Sequence, residues 1–386
     1  MRRESFTNDA PGRLVHDPEG HLAFVPDPLP PELHLDNSTV NALANAERVL
    51  GELKGLGRGL RNPHILINPF LRREAVLSSK IEGTTAGLQQ LMMFEADPTE
   101  DDGRSDVGEV ANYVSALELG FALLETMPIC LRMIRQVHER LMRDVRGQDR
   151  RPGGFRQIPV VIGRHGVSAA NARFVPPPVM EMNQALRDLE RYIGDRRNEL
   201  PSLIRLALVH YQFETIHPFN DGNGRIGRLL IALQLREQGI LPQPLLYLSG
   251  YFEQHREEYV DLMLRTSTHG DWVAWTNFFL QGVQAQATEA VATSHELLEF
   301  RGEMQNWALS ASRSSNQVRL VDLIVERPVI SVASVEQRLG VTPRSANDLI
   351  MRMVNAGYLD EITGQARNRR FAALQVLSIL SPPDAQ

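Results

Sequence analysis

Apolar residues recur at helical spacing over most of the chain. Residues 39–58 carry Val40, Leu43, Ala44, Val49 and Leu50 at that spacing and predict an amphipathic helix. A second helix is signalled by Asn68 as N-cap and Pro69 at the first helical position; it should run to about Glu82 and stop at Gly83. Ahead of both, residues 1–40 are rich in Pro, Gly, Asp and Asn, and the prolines of 26–31 read as an extended lead-in. From about 107 to 283 the pattern is mostly helical. One helix is expected from Pro201 to Thr215, with Leu203, Leu206, Leu208, Val209 and Phe213 apolar, and another from Asn223 to Glu237, ending before Gly239. Residues 145–178 interrupt this pattern with Gly, Pro and Arg; within them 158–162 and 173–175 predict two short strands joined by a polar turn.

The acidic loop at 96–106 marks a candidate boundary, and 284–305 predict a connecting helix. Beyond Ser315 the pattern changes: residues 318–325 are helical, Gly340 and Pro343 punctuate a helix–turn–helix, and a β-wing should end in Arg370 and Phe371. The expected divisions are an N-terminal region 1–106 with a helix at about 69–83, a helical core 107–283, a connecting helix 284–314 and a winged-helix-like domain 315–386. The fold class is mainly α.

Composition narrows the function. The chain has 386 residues, 42% of them hydrophobic, enough for two or three domains. Charged residues are 23% and the net charge is −6, which argues against disorder and against a strongly basic nucleic-acid binder. A single cysteine, Cys130, precludes an internal disulfide and reads as a buried structural residue in a reducing, cytoplasmic compartment. The first residues lack the apolar stretch of a secretory signal, and no uncharged apolar run approaches the ~20 residues of a membrane span. Of the two lysines, Lys54 and Lys80, neither lies in a Gly-x-x-x-x-Gly-Lys-Ser/Thr loop, which excludes a P-loop ATPase.

The candidate chemistry lies at His217-Pro-Phe-Asn-Asp-Gly-Asn-Gly-Arg-Ile-Gly-Arg228. Gly222, Gly224 and Gly227 match Gly-x-Gly-x-x-Gly, but the preceding segment is helical and no acidic residue follows about 20 positions on, so a dinucleotide-binding Rossmann reading is rejected. The loop still has the makings of a phosphate site: glycines that admit backbone amides to an anion, then a helix N-terminus. Arg225 and Arg228 share one face of that first turn, where cations oppose the helix dipole unless an anion or a carboxylate joins them. Asp221 suits either Mg²⁺ beside polyphosphate or an N-cap of the next helix. His217 can take a hydroxyl proton, or be merely structural, and Phe219 reads as the anchor of the loop.

Together these residues resemble the signature of the Fic family, His-Pro-Phe-x-Asp/Glu-Gly-Asn-Gly-Arg-x-x-Arg, without a mismatch. The flanks at 209–217 and 246–251 resemble family members with an N-terminal extension and a C-terminal winged helix. The resemblance implies a Fic helical core and transfer of AMP from ATP to a Ser, Thr or Tyr hydroxyl of a protein, this chain itself included. It implies His217 as base, Asp221 as the Mg²⁺ ligand, and phosphate binding by Gly222, Asn223, Gly224, Arg225, Ile226, Gly227 and Arg228, with Arg228 nearest the γ-phosphate. Val160, Val161, Ile162 and Gly163 look like the family's β-hairpin flap, which aligns the target by strand pairing. Tyr259 is placed near the adenine. Gly222 and Arg225 favour nucleotidyl transfer over phosphorylation, while removal of AMP stays open.

Ser78-Ser-Lys-Ile-Glu82-Gly83 resembles the family's inhibitory motif. Glu82 at a helix C-terminus opposes the dipole by roughly 0.3–1 kcal/mol and calls for a cationic partner, which the resemblance identifies as Arg228. Ser78, one turn earlier, is positioned to bond Glu82 or ATP. In the C-terminal module eight arginines face seven acids from Ser315 to Gln386, so DNA binding is weakly supported and protein docking is favoured. A DNA-binding transcriptional regulator whose Fic core senses nucleotide is the competing reading. The sequence leaves open whether the chain acts alone or as a homodimer.

Overall fold

The computed structural model describes residues 1–96, 105–144, 151–163, 171–197, 199–311 and 314–381. Most of the acidic loop and the polar turn between the two expected strands lie outside these residues. The first element differs from expectation. β1 (Gly12–His16) and β2 (Leu22–Pro26) form an antiparallel hairpin with Leu14 opposite Phe24. Asp17 shapes its turn by accepting the amides of Glu19 at 2.9 Å and His21 at 2.8 Å. The proline-rich composition hid this alternation. The Phe24 side chain is fully buried, and its N–H bonds Val175 O at 3.0 Å.

α1 (Asn37–Gly59) is capped by Asp36, whose side chain accepts the Thr39 amide at 2.8 Å. Its buried stripe is Ala46, Val49, Leu50 and Leu53, whereas Val40 is exposed. α2 (His64–Ile81) begins earlier than Asn68, so Pro69 lies inside the helix. An internal proline costs roughly 3 kcal/mol, which burial of Ile65, Leu66, Phe70 and Leu71 offsets. Asn68 serves a different purpose: its side-chain amide donates to Glu326 Oε1 at 2.7 Å. The helix ends at Glu82 as C-cap, with Gly83 at φ 99°.

α4 (Asp106–Leu123), α5 (Leu131–Leu141) and α6 (Val179–Gly194) pack on two central helices, α7 (Ser202–Ile216) and α8 (Asn223–Glu237), while α3 (Leu88–Ala96) packs on α2 and α4. α7 is buried on every side from Leu206 to Ile216, the polar side chains of His210, Gln212 and Glu214 included. α9 (Ser249–Gln254) and α10 (Arg256–His269) lead into α11 (Trp272–Ala311), one unbroken helix of 40 residues, about 60 Å long. No break marks residue 283, because Leu280, Val283, Ala287 and Ala290 continue a single buried face. Trp275 ties this helix to α7 by donating its indole N–H to Ala207 O at 2.9 Å.

Where two flap strands were expected, a single bridge among the described residues joins Ile162 to Phe174. Prolines at 159 and 176 to 178 limit the ladder hydrogen bonds these segments can form. Cys130, expected to be buried, is only partly so, at the N-cap of α5.

The C-terminal module is a winged helix: α12 (Ser315–Glu326), β3 (Val329–Ser331), α13 (Val332–Leu339), α14 (Pro343–Asn355), β4 (Asp360–Glu361), β5 (Arg370–Ala372) and α15 (Leu374–Leu380). Its antiparallel sheet has the order β3-β5-β4. Gly340 ends α13 at φ 68°, and Thr342 and Pro343 open α14. Leu320, Val321 and Ile324 are fully buried in the core they share with α2 and α11. Among the described residues no helix is long and apolar enough to cross a membrane.

Candidate active site

α7 ends on His217, held in the left-handed region at φ 50°, ψ 63°. Such a backbone in a non-glycine residue costs on the order of 1–3 kcal/mol and needs support from its surroundings. Arg156, 1% exposed, supplies it: Nε donates to His217 O at 2.9 Å, and Nη2 donates to Pro177 O at 2.6 Å and Ile216 O at 3.4 Å. The turn throws the imidazole off the helix. Its Nδ1 lies 3.2 Å from Glu214 O, a pure acceptor, which assigns the proton to Nδ1 and leaves the Nε2 lone pair free. Desolvation outweighs that hydrogen bond and lowers the His217 pKa to about 4, so the ring is neutral at pH 7.

The following loop is closed from within. The Asn223 side chain accepts the Phe219 N–H and donates to Phe219 O, both at 2.8 Å. Phe219 is fully buried and stacks on His138 at 3.6 Å between centroids. His138 accepts the Gly153 amide at Nδ1, 2.9 Å, which directs its Nε2–H to Asp221 O at 3.0 Å.

Gly222, at φ 77°, takes the N-cap position of α8 that Asp221 was also a candidate for. The first intrahelical bond runs from Ile226 N–H to Gly222 O, so the amides of Asn223, Gly224 and Arg225 lie ahead of it. A carboxylate sits over this helix end. A Cβ on Gly224 would come within 2.3 Å of Glu82 Oε1, so only glycine admits Glu82 there. Arg228 donates Nη2 to Glu82 Oε1 at 2.7 Å, and Nε and Nη2 to Ser78 Oγ and Ser78 O, each at 2.9 Å. Ser78 therefore holds Arg228, not Glu82. Arg225 faces Glu109 at 3.4 Å and Asp221 at 3.8 Å. Both arginines are thus carboxylate-paired. Burial is the largest single influence and raises the Glu82 pKa, but the charge and hydrogen bond of Arg228, with the charges of Arg225 and His217, together outweigh it and hold the carboxyl below its ordinary value.

Residues 40–122 match the family model described as Fic/DOC family N-terminal, and residues 128–235 the one described as Fic/DOC family. Residues 40–235 thus carry the two domains of the Fic family. Residues 318–374 match a helix–turn–helix DNA binding domain. A protein adenylyltransferase Fic of Culex quinquefasciatus is 27% identical over 249 residues, covering 62% of this chain and 44% of that protein. One of Drosophila grimshawi is 30% identical over 167 residues, 42% of this chain and 32% of that one. The chain spans less than half the length of these curated relatives. A Fic family protein from Desulfovibrio desulfuricans G20 shares the fold at TM-score 0.58 and 20% identity, over 89% of this chain and 98% of that one. A Fic domain containing signaling protein from Bacteroides thetaiotaomicron aligns at TM-score 0.53 and 19% identity, over 65% and 97% of the two chains.

The Fic signature of this chain is thus gathered at one helix junction. Ile226 is fully buried, and Gly227 faces Glu214. Val160, Val161 and Ile162 are half-buried and Gly163 is exposed. Tyr259 departs from the expectation of a residue beside a nucleotide base. It is 6% exposed, packs on Phe252 at 4.6 Å and shares a 2.9 Å hydrogen bond with His210. Sequence reasoning missed the residues behind Arg228. Glu214 and Glu74 are buried carboxyls pushed up to about 7 by desolvation. Glu74 accepts from Tyr113 at 2.9 Å and Ser249 at 2.6 Å, while Glu214 Oε1 has no hydrogen-bond partner among the described residues. Arg156 and Glu109 were also missed; the arginine-rich stretch around 156 was the only signal for either.

Proposed function

We propose that this Fic protein is an autoinhibited adenylyltransferase that moves AMP from ATP to a Ser, Thr or Tyr hydroxyl of a protein. The observation that carries the reading is a neutral imidazole with a free Nε2 beside the amide-lined N-terminus of α8 and its two arginines. The target oxygen attacks the α-phosphorus while His217 Nε2 takes its proton; the bond between the α- and β-phosphates breaks and pyrophosphate leaves. The amides at 223 to 225, with Arg225 and Arg228, bind the phosphates. The segment 160–163 offers backbone for pairing with the target.

Among the described residues no group of three His, Cys, Asp or Glu could cage a metal ion. One carboxylate, Asp221, with a side chain 36% exposed, fits an ion that takes its remaining ligands from phosphate and water, which is the habit of Mg²⁺. Such an ion would neutralise phosphate charge. Inhibition follows from Glu82, which occupies the anion position over Gly224 and engages Arg228.

Incubation with Mg²⁺ and ATP labelled at either the α- or the γ-phosphate tests the reaction. Covalent α-label on protein is expected. Covalent γ-label would establish kinase chemistry in its place. The helix–turn–helix match favours a second reading, a DNA-binding regulator whose Fic core senses nucleotide. Nucleotide-dependent DNA binding with no covalent label would select it.

A further inference from the structure

A cleft of about 630 Å³ opens between α2 and α3 on one wall and the winged-helix module on the other; it shares no lining residue with the signature loop. Three guanidiniums line it, Arg72 from α2 and Arg327 and Arg338 from the module, against one carboxylate, Glu95. Arg72, 2% exposed, is fixed by donating Nε to Glu95 at 2.6 Å and Nη1 to Asn68 O at 3.0 Å. That leaves Arg327 and Arg338 without an ion pair among the described residues, with Glu95 and Glu326 acting on Arg327 only at longer range. Arg327 Nε is buried with no hydrogen-bond partner among the described residues. Burial first, then the charges of Arg72 and Arg338, hold its pKa below the ordinary arginine value against the smaller opposing charges of Glu95 and Glu326.

A desolvated N–H without an acceptor, flanked by like charges, is unfavourable in a folded chain unless something anionic completes it. The first turn of α13 adds to the positive field: Ser331, Ala333 and Ser334 line the same cleft, and although the N-cap Ser331 already accepts the Ser334 N–H at 3.1 Å, the helix dipole still points its positive end there. The volume is that of a small-molecule pocket, with Arg72 on one wall and Arg327 and Arg338 on the other, which suits a small ligand seated in an open cleft. We propose that this cleft binds a small phosphate-bearing dianion, held by Arg327 and Arg338 against the N-terminus of α13. The opposite wall of the site is formed in part by α2, the helix that ends at Glu82.

The test is calorimetric titration of the full chain with inorganic phosphate, against chloride at matched ionic strength. Three proteins are compared: the wild type, Arg327→Gln with Arg338→Gln, and Arg228→Ala. The last removes a cation of the signature loop, the other place phosphate could bind. Binding should survive in Arg228→Ala and weaken at least about tenfold in the double variant, the worth of one charge-assisted hydrogen bond. Arg338 is exposed, so Arg338→Gln alone serves if the double variant fails to fold. Any other pattern overturns the site, whether no heat with the wild type or loss confined to Arg228→Ala.

Discussion

A base that works at neutral pH must be unprotonated there and must present the correct nitrogen. His217 meets both conditions through its backbone: the left-handed turn sets Nδ1 against Glu214 O, and burial disfavours the cation. Replacing His217 by Ala should cut AMP transfer by about 10²–10⁴-fold with ATP binding retained, as single-turnover and equilibrium dialysis measurements would show. Near-normal turnover would remove it from the proposed role. The lowered pKa has a definite sign. Burial favours the neutral ring, so in the nucleotide-free protein His217 should titrate near 4, along with His138 near 4 and His210 near 3. Unfolding then takes up protons below the ordinary value of 6.5, and this share of stability is present above pH 6.5 and lost as pH falls toward 4. Glu74 and Glu214, raised to about 7, act in the opposite sense between 4.5 and 7. Ring proton shifts followed by NMR from pH 5 to 8 should stay nearly flat for all three histidines; a midpoint near 6.5 for His217 would contradict the burial argument. The residues of the loop were legible because they are contiguous. Arg156 and Glu214 were not, because their significance lies in what folding brings against them: a carbonyl 61 positions away in one case, a buried guanidinium in the other.

At the scale of elements, two helix ends meet with complementary defects. Glu82 closes the C-terminus of α2, where its charge is unwelcome, and lies over the N-terminus of α8, where it is favoured. That meeting was readable from the sequence only through the resemblance; the start of α2 was not, since Pro69 mimicked a helix start while Asn68 was reserved for Glu326. Glu82→Gly should raise transfer, on the order of 10²-fold if the carboxylate displaces the α-phosphate by about an ångström from in-line attack. Its stability cost should be about 1–2 kcal/mol, below that of breaking a fully buried pair, because the Glu82 side chain is 39% exposed and Arg228 keeps both bonds to Ser78. With Arg228→Ala already present, removing Glu82 should add little. Transfer rates for the wild type, both single variants and the double variant decide this. Equal rates for wild type and Glu82→Gly at saturating ATP would remove the case for an internal inhibitor.

On the scale of the whole molecule, the sequence suggests a chain of separable pieces, and the structure joins them. The change of pattern at about Ser315 is real, but it marks a change of element type. Periodicity within a segment reports which face is apolar and is silent on what covers it. Here α11 runs unbroken from the helices around the signature loop to the module, and α12 covers α2: Asn68 reaches Glu326, Arg301 reaches Asp322 at 2.8 Å, and Leu320 and Ile324 are sealed from solvent. Ending the chain after Ala311 would strip those apolar side chains from α2 and α11 and uncover the surface they shield. At roughly 1.5–3 kcal/mol for each large side chain so removed, two such losses rival a sizeable part of a typical domain's stability. The full chain should therefore unfold in one calorimetric transition, and the truncated chain should melt lower and expose apolar surface to a hydrophobic dye. Two well-separated transitions, with the truncated chain reproducing the position of one of them, would show that the module folds independently and only rests on α2. The distinction bears on regulation. If the module and α2 unfold as one unit, whatever the winged helix engages acts on the helix that holds Glu82 against Arg228, with no further moving part between them.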